Sequence, residues 1–248
     1  MAGLADLEAR RAHELRLTPD RALENVDEAA AWLQERGLLT LMPCCSLPSL
    51  FAACHEEPYA PGKRGFAQWP KTKYWWPFAL AQRPRVHSLK IHRGKSLIVT
   101  EATALLADPL ARTALAEAEE GAHGEDAARL VGHLAAAGPS LLDDLRAELG
   151  AVKRPRERLE RVGAVVARTV EAPQGYLTEL YRWDQAFAEP SPGGMEELVA
   201  AAVRAAVLAP EDEVAKWFSW PVGDAVGRLI DEGRLARVDG YVTLASGS

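Results

Sequence analysis

The apolar residues of this chain recur mostly with helical spacing, and one piece of punctuation interrupts them three times: a leucine, three residues, a glycine, then an apolar stretch. It reads Leu33-Gln-Glu-Arg-Gly37-Leu-Leu, Leu159-Glu-Arg-Val-Gly163-Ala-Val-Val and Leu229-Ile-Asp-Glu-Gly233-Arg-Leu. A glycine at that point takes the left-handed conformation that stops a helix, and the residues after it suit a strand. The second and third copies lie 70 residues apart, about one winged-helix unit, and repetition at fixed spacing implies repeated architecture.

Around the second copy, residues 126–136 predict a helix with Leu130, Val131 and Leu134 on one face, ended by Gly138-Pro139. Ser140 is placed to cap a second helix, with Leu142, Leu145 and Leu149 facing inward. A third helix is expected to begin near Pro155 and to bury Leu159, Val162 and Val166. Residues 165–171 and 176–183 then read as a hairpin across Pro173-Gln174-Gly175. The third copy repeats the order, with helices over 194–208 and 211–218, a third from Pro221, and strands 234–238 and 241–244 joined by Asp239-Gly240. The first copy offers helices over 3–16 and 26–36, the latter capped by Asn25. Its strand 38–42 then runs into an insertion, not a simple wing. Within the insertion, a short apolar helix is expected near 50–54, a hairpin over 86–100 around Arg93-Gly94, and one or two amphipathic helices over 101–120.

The expected fold is therefore mainly α with small β-hairpins (α+β), in tandem winged-helix (helix-turn-helix) units. Residues 1–42 form an incomplete first unit, 43–125 an inserted basic aromatic region completing it, 126–190 a second unit and 191–248 a third, with linkers at 121–125 and 190–194.

Composition narrows the class. Apolar residues make up 48% and charged residues 26% of 248, as in globular proteins. No apolar run approaches the ~20 residues that span a bilayer, and Asp6, Glu8, Arg10 and Arg11 exclude a secretory leader. The three cysteines, two of them adjacent, exclude a disulfide framework and fit a reducing cytoplasm. Charge adds more. The chain is net −6, yet between Glu57 and Glu101 there is no carboxylate, only Lys63, Arg64, Lys71, Lys73, Arg83, Arg85, Lys90, Arg93 and Lys95. A field of one sign draws in anionic partners.

Two groups of residues could use that field. On the helix near Pro155, Arg154, Arg158 and Arg161 cluster within about 60° at 100° per residue, with Lys153 beside them. Such a ridge next to a buried face suits phosphates and guanine edges, and the competing reading is a solvated face. The corresponding helix of the third unit exposes Asp224, Asp231 and Glu232, which suit a scaffold. The second group is the basic aromatic stretch with Lys71, Lys73, Trp75, Trp76, Arg83 and Arg85. Rings that stack on bases beside cations that neutralise phosphates are what an exposed-base site needs, and the competing reading is a tryptophan core under lysine stems. Cys44, Cys45, Cys54 and His55 match no common zinc spacing, so no metal or other cofactor is expected. His55 and Glu57 are the candidates for acid–base chemistry, and no phosphate-cradling glycine loop or nucleophile elbow is present.

At Gly37-Leu-Leu-Thr-Leu-Met-Pro-Cys44, Leu47-Pro-Ser-Leu-Phe51 and Trp75-Trp76, followed by the repeated units, the chain resembles a bacterial winged-helix family related to the DNA glycosylases that excise bulky alkylated purines and unhook interstrand crosslinks. The resemblance implies tandem winged helices, DNA as partner and a base-sized pocket. Those glycosylases carry a Gln-apolar-Gln or Gln-apolar-Asp motif. None of the five glutamines here (Gln34, Gln68, Gln82, Gln174, Gln185) has such a neighbour, so no catalytic residue is carried over. The expectation is a DNA-binding protein of repair or damage recognition, with no membrane partner. The alternatives are a divergent glycosylase, a transcription regulator and a protein-interaction module.

Overall fold

A computed structural model describes residues 3–173 and 175–245. Helix α1 (Leu4–Glu14) leads into α2 (Val26–Arg36), which starts at Asn25, whose side chain accepts from the backbone N–H groups of Asp27 and Glu28. Strand β1 (Leu38–Thr40) follows, then a 3-10 turn at Ala52–Cys54, helix α3 (Trp76–Ala81), and strands β2 (Val86–His92) and β3 (Lys95–Thr100). Helices α4 (Glu101–Leu106) and α5 (Asp108–Glu119) lead to α6 (Glu125–Ala137), β4 (Ser140–Leu141), α7 (Leu142–Leu149), α8 (Lys153–Arg161), β5 (Val165–Ala172), β6 (Gly175–Arg182) and α9 (Trp183–Ala186). The chain continues through α10 (Met195–Ala206), β7 (Leu208–Pro210), α11 (Glu211–Val214), α12 (Ala225–Asp231), β8 (Leu235–Val238) and β9 (Tyr241–Leu244). The fold is α+β, with three small antiparallel sheets ordered β1-β3-β2, β4-β6-β5 and β7-β9-β8.

One succession is thus used three times: helix, short strand, helical segments (two in the second and third repeats, and three short ones in the first, counting the 3-10 helix Gly65–Gln68), hairpin. In each sheet the short strand pairs with the second strand of the hairpin, as in Leu38↔Val99, Ser140↔Leu180 and Leu208↔Thr243. In the first repeat, the region expected to complete the unit contributes the hairpin. The 43–85 stretch stands where α7 and α8 stand in the second repeat, and the hairpin of residues 86–100 completes the first sheet. The three repeated glycines all adopt positive φ. Gly37, however, ends the first helix of its repeat, whereas Gly163 and Gly233 precede the hairpins of theirs. Gly163 has a second constraint, because a Cβ there would lie 3.1 Å from Trp220 and 3.2 Å from Ala111.

Several local expectations shift. Ser140 is a strand residue and not a cap, and its hydroxyl donates to the Gly138 carbonyl. Helix α8 begins at Lys153, so Pro155 sits within its first turn, and Val166 belongs to β5. The last repeat's third helix starts at Ala225, not Pro221. The turn at 173–175 includes Gln174, which lies outside the described residues. Arg93-Gly94 and Asp239-Gly240 each place two successive residues at positive φ, the requirement of a two-residue type I′ hairpin turn. The 190–194 segment is docked and not loose. Ser191 N–H donates to Asp108, Gly194 N–H donates to the Leu106 carbonyl, and a Cβ on Gly193 would lie 2.5 Å from that carbonyl oxygen.

Period-two alternation puts the first sheet between two cores. Leu97 and Val99 of β3 join the large core of the second and third repeats, while Ile98 faces a smaller one with Trp32, Leu33, Leu50, Trp76 and Leu80. The buried Asp108 carboxylate is a hub, accepting from Trp183 Nε1 at 2.7 Å and Arg112 Nε at 2.9 Å. None of the described helices is long and apolar enough to cross a membrane.

Candidate nucleic-acid interface

Helix α8 carries the strongest concentration of cations on one element. Its apolar contribution is small: Leu159 is fully buried and Pro155 lies beneath the first turn. What anchors the rest is an acid. Glu160 is only 3% exposed, and its carboxylate accepts from Lys90 Nζ of β2 at 2.7 Å and lies 3.3 Å from Arg156 Nε in an ion pair. A carboxylate removed from water needs such partners, and they lock α8 onto the first repeat's hairpin. Lys153, Arg154, Arg158 and Arg161 are left facing solvent. Arg158 pairs with Asp126. Among the described residues, Lys153, Arg154 and Arg161 have no carboxylate partner within salt-bridge distance.

The two basic regions of the sequence meet here. Three depressions adjoin along the junction of α8 with β2 and β3. The first, about 580 Å³, has walls that include Trp69, Phe78, Arg83, Arg85, His87, Lys90, Arg156 and Arg168. The second, about 480 Å³, is lined by Lys90, Arg93, Gly94, Arg154, Glu157, Arg158 and Arg161. The third, about 390 Å³, includes Arg93, Lys95, Arg161, Lys216 and the pair Cys44-Cys45. Lys90 borders the first two, and Arg93 and Arg161 border the last two. The result is one basic trough. Its first section is framed by α3 and α8, which hold the same place in their repeats, and by the β5–β6 hairpin.

Lys90, Arg93 and Lys95 belong to this trough although the sequence marked them only as charge. His87, which sequence reasoning missed, is on its wall. Burial lowers the His87 pKa below its ordinary value, and nearby Arg168 pushes the same way. The ring is therefore neutral near pH 7, with Glu101 Oε2 3.6 Å from Nε2 and the Phe187 ring edge-on.

The other sequence-named residues divide. Arg83 pairs with Asp27, and Arg85, 82% exposed, lies 4.0 Å from Glu101, both on the rim of the first depression. Trp75 is 45% exposed beside Tyr74 and Phe78, and Trp69 links the patch by ring contacts to Phe51, Phe66 and Phe78. Trp76 is a correction: at 3% exposure it belongs to the smaller core, where no base can stack on it. Lys73 covers it, with Nζ 5.2 Å from the ring and donating to the Leu23 carbonyl, so this lysine is structural. Lys71 is exposed, its backbone N–H bonded to the Glu57 carbonyl. His55 and Glu57 line none of the three depressions. Nε2 of His55 bonds the Arg16 carbonyl at 2.7 Å, which gives that ring an anchoring role in the loop.

The cysteines also regroup. Cys54 is buried, its thiol bonded to the Leu50 carbonyl, and burial pushes it up to about 12. Cys44 and Cys45 converge instead on His92, with Sγ–Nε2 distances of 3.5 and 3.8 Å. The Cys45 thiol and the His92 ring hold Cys44 well down, at about 4, while Cys45 is pushed up. A metal-capable cluster therefore exists where the spacing rule anticipated none.

No family model matches this chain, and no curated protein sequence does. Among solved structures, the Streptomyces sahachiroi DNA glycosylase AlkZ is similar, with a TM-score of 0.58 and 11% identity over 98% of this chain and 70% of that one. At that identity the likeness is one of fold.

Proposed function

We propose that this chain is a DNA-binding protein of tandem winged-helix units, serving DNA repair or damage recognition. In this reading each repeat is one winged helix, α8 is the helix that approaches the duplex, and the hairpins are wings. The observation that carries the reading is the continuity of the trough. Lys90, Arg93 and Arg161 join its sections, with Arg154 exposed and without a carboxylate partner among the described residues, and exposed Phe78 stands at the aromatic end. Neutralised phosphates supply affinity, and exposed rings supply stacking for a displaced base. The likeness in fold to a DNA glycosylase supports a repair context.

The test is binding of duplex, single-stranded and abasic-analogue DNA across a salt series. The expected result is affinity that falls steeply with salt and a preference for the abasic or single-stranded form. Absence of binding to any of them at low salt overturns the proposal in favour of a protein-interaction module, and strong preference for one intact sequence favours a regulator.

A second reading, base excision, has one observation of its own: the neutral His87 ring beside Glu101 on the wall of a cavity of about 580 Å³. It predicts release of free base from alkylated DNA, lost in His87→Ala, and the absence of any release ends it.

A further inference from the structure

We propose that Cys44, Cys45 and His92 bind a soft divalent metal ion, zinc by fit, with one coordination position left open to solvent. This goes beyond the DNA-binding reading and does not depend on it.

Geometry carries the proposal. Tetrahedral zinc with bonds of about 2.3 Å to sulfur and about 2.05 Å to nitrogen requires sulfur and nitrogen roughly 3.6 Å apart. The two Sγ–Nε2 distances, 3.5 and 3.8 Å, bracket that value, and the three ligand atoms lie within 4.8 Å of one another.

The histidine is also prepared for the role. His92 is 4% exposed, and its Nδ1 bonds the Trp217 carbonyl. A carbonyl only accepts, so Nδ1 carries a hydrogen, and Nε2 is the nitrogen that faces the two sulfurs. A ligating histidine commonly has this arrangement, with its second nitrogen fixed by a carbonyl or carboxylate.

The surroundings hold both sides in place. Cys44 and Cys45 follow β1, and the next residue, Ser46, donates its N–H at 2.6 Å to Glu213 Oε1, which also receives Trp217 Nε1 at 2.8 Å. One carboxylate thus ties the cysteine loop to the residue whose carbonyl orients His92. Glu213 is not among the residues whose ligand atoms converge, so the fourth position falls to water or another small ligand, and the exposed Cys44 marks the open side. Two thiolates and a divalent ion sum to zero charge, so the neighbouring Lys95, Arg161 and Lys216 do not oppose the filled site. Binding releases up to two thiol protons to solvent.

The test uses the full chain, reduced and stripped with a chelator, titrated with Co²⁺ and then Zn²⁺. The expected result is one equivalent of Co²⁺ giving thiolate charge-transfer bands and intense visible bands of tetrahedral coordination, abolished by zinc. Competition against a chromophoric chelator should show zinc affinity at least about 100-fold weaker in Cys44→Ser, since even outer-shell changes cost 10–100-fold. His92→Gln should behave likewise, and Cys54→Ala should match wild type. Because Cys44 is exposed, Cys44→Ser decides the matter even if His92→Gln fails to fold. Absence of tetrahedral bands, or bands that persist in Cys44→Ser, overturns the proposal.

Discussion

Helices α8 and α12 occupy the same position in successive repeats, yet their charges are handled in opposite ways. In the third repeat three arginines on or just after α12 are answered: Arg228 by Glu196, Arg234 by Glu197, Arg237 by Glu211. In the second, Glu160 is withdrawn into the interior with Lys90 and Arg156, while Arg154 and Arg161 face solvent with no carboxylate partner among the described residues. One scaffold therefore yields a neutralised surface in one place and a basic one in another. The helices differ both in how many cations they carry, four arginines and a lysine on α8 against one arginine on α12, and in where the carboxylates point.

The largest expected effect tests whether the scaffolds are equivalent. Leu159 and Leu229 are both fully buried, so Leu159→Ala and Leu229→Ala should each destabilise by about 2–5 kcal/mol in urea unfolding. A large loss in one and none in the other would break the comparison at its base. Next comes a contrast within the aromatic segment. Trp75→Ala should leave stability nearly unchanged and cost about 1–3 kcal/mol in single-strand binding. Trp76→Ala should instead lower unfolding stability, by about 3–5 kcal/mol. A smaller change sharpens the charge argument. Asp126→Asn releases Arg158 from its exposed ion pair, so DNA affinity should rise up to about fivefold, the range of an exposed pair. The matched Glu196→Gln, freeing Arg228, should leave affinity as it was.

The smallest effect is one of pH. The His87 pKa is lowered from 6.5 by burial, so the unfolded chain takes up the proton first as pH falls. Its contribution to stability is complete above about 6.5 and is lost as pH drops below that value toward the folded pKa. His87→Gln should flatten this part of the stability–pH curve, read by chemical unfolding at pH 7.5 and 5.5.

Much of the fold was legible because local chemistry decides it. Arg93-Gly94 and Asp239-Gly240 announce type I′ hairpins, and Asn25 announces a helix start. The two-residue strand β4 was not legible, since Ser140-Leu141 looks the same before a helix as in a ladder, and only pairing with β6 distinguishes the two. The site was legible as a list of cations and not as a surface. That α8 would lie on β2 depends on a buried Glu160, and nothing in the spacing of a carboxylate between two arginine-bearing turns marks it for burial. Cys44 and Cys45 were read with their sequence neighbour His55, whereas their partner His92 is 48 residues from Cys44 and reaches them only through the sheet.

The central claim is that the trough beside α8, and not the surface of α12, meets a polyanion. The direct test is the slope of log affinity for duplex DNA against log salt in wild type, Arg154→Ala/Arg161→Ala and Arg228→Ala/Arg237→Ala. Each lost phosphate contact lowers the slope by about 0.9. The account predicts a slope shallower by about 1.8 in the α8 variant and unchanged in the third-repeat variant. Equal slopes in all three proteins would contradict it.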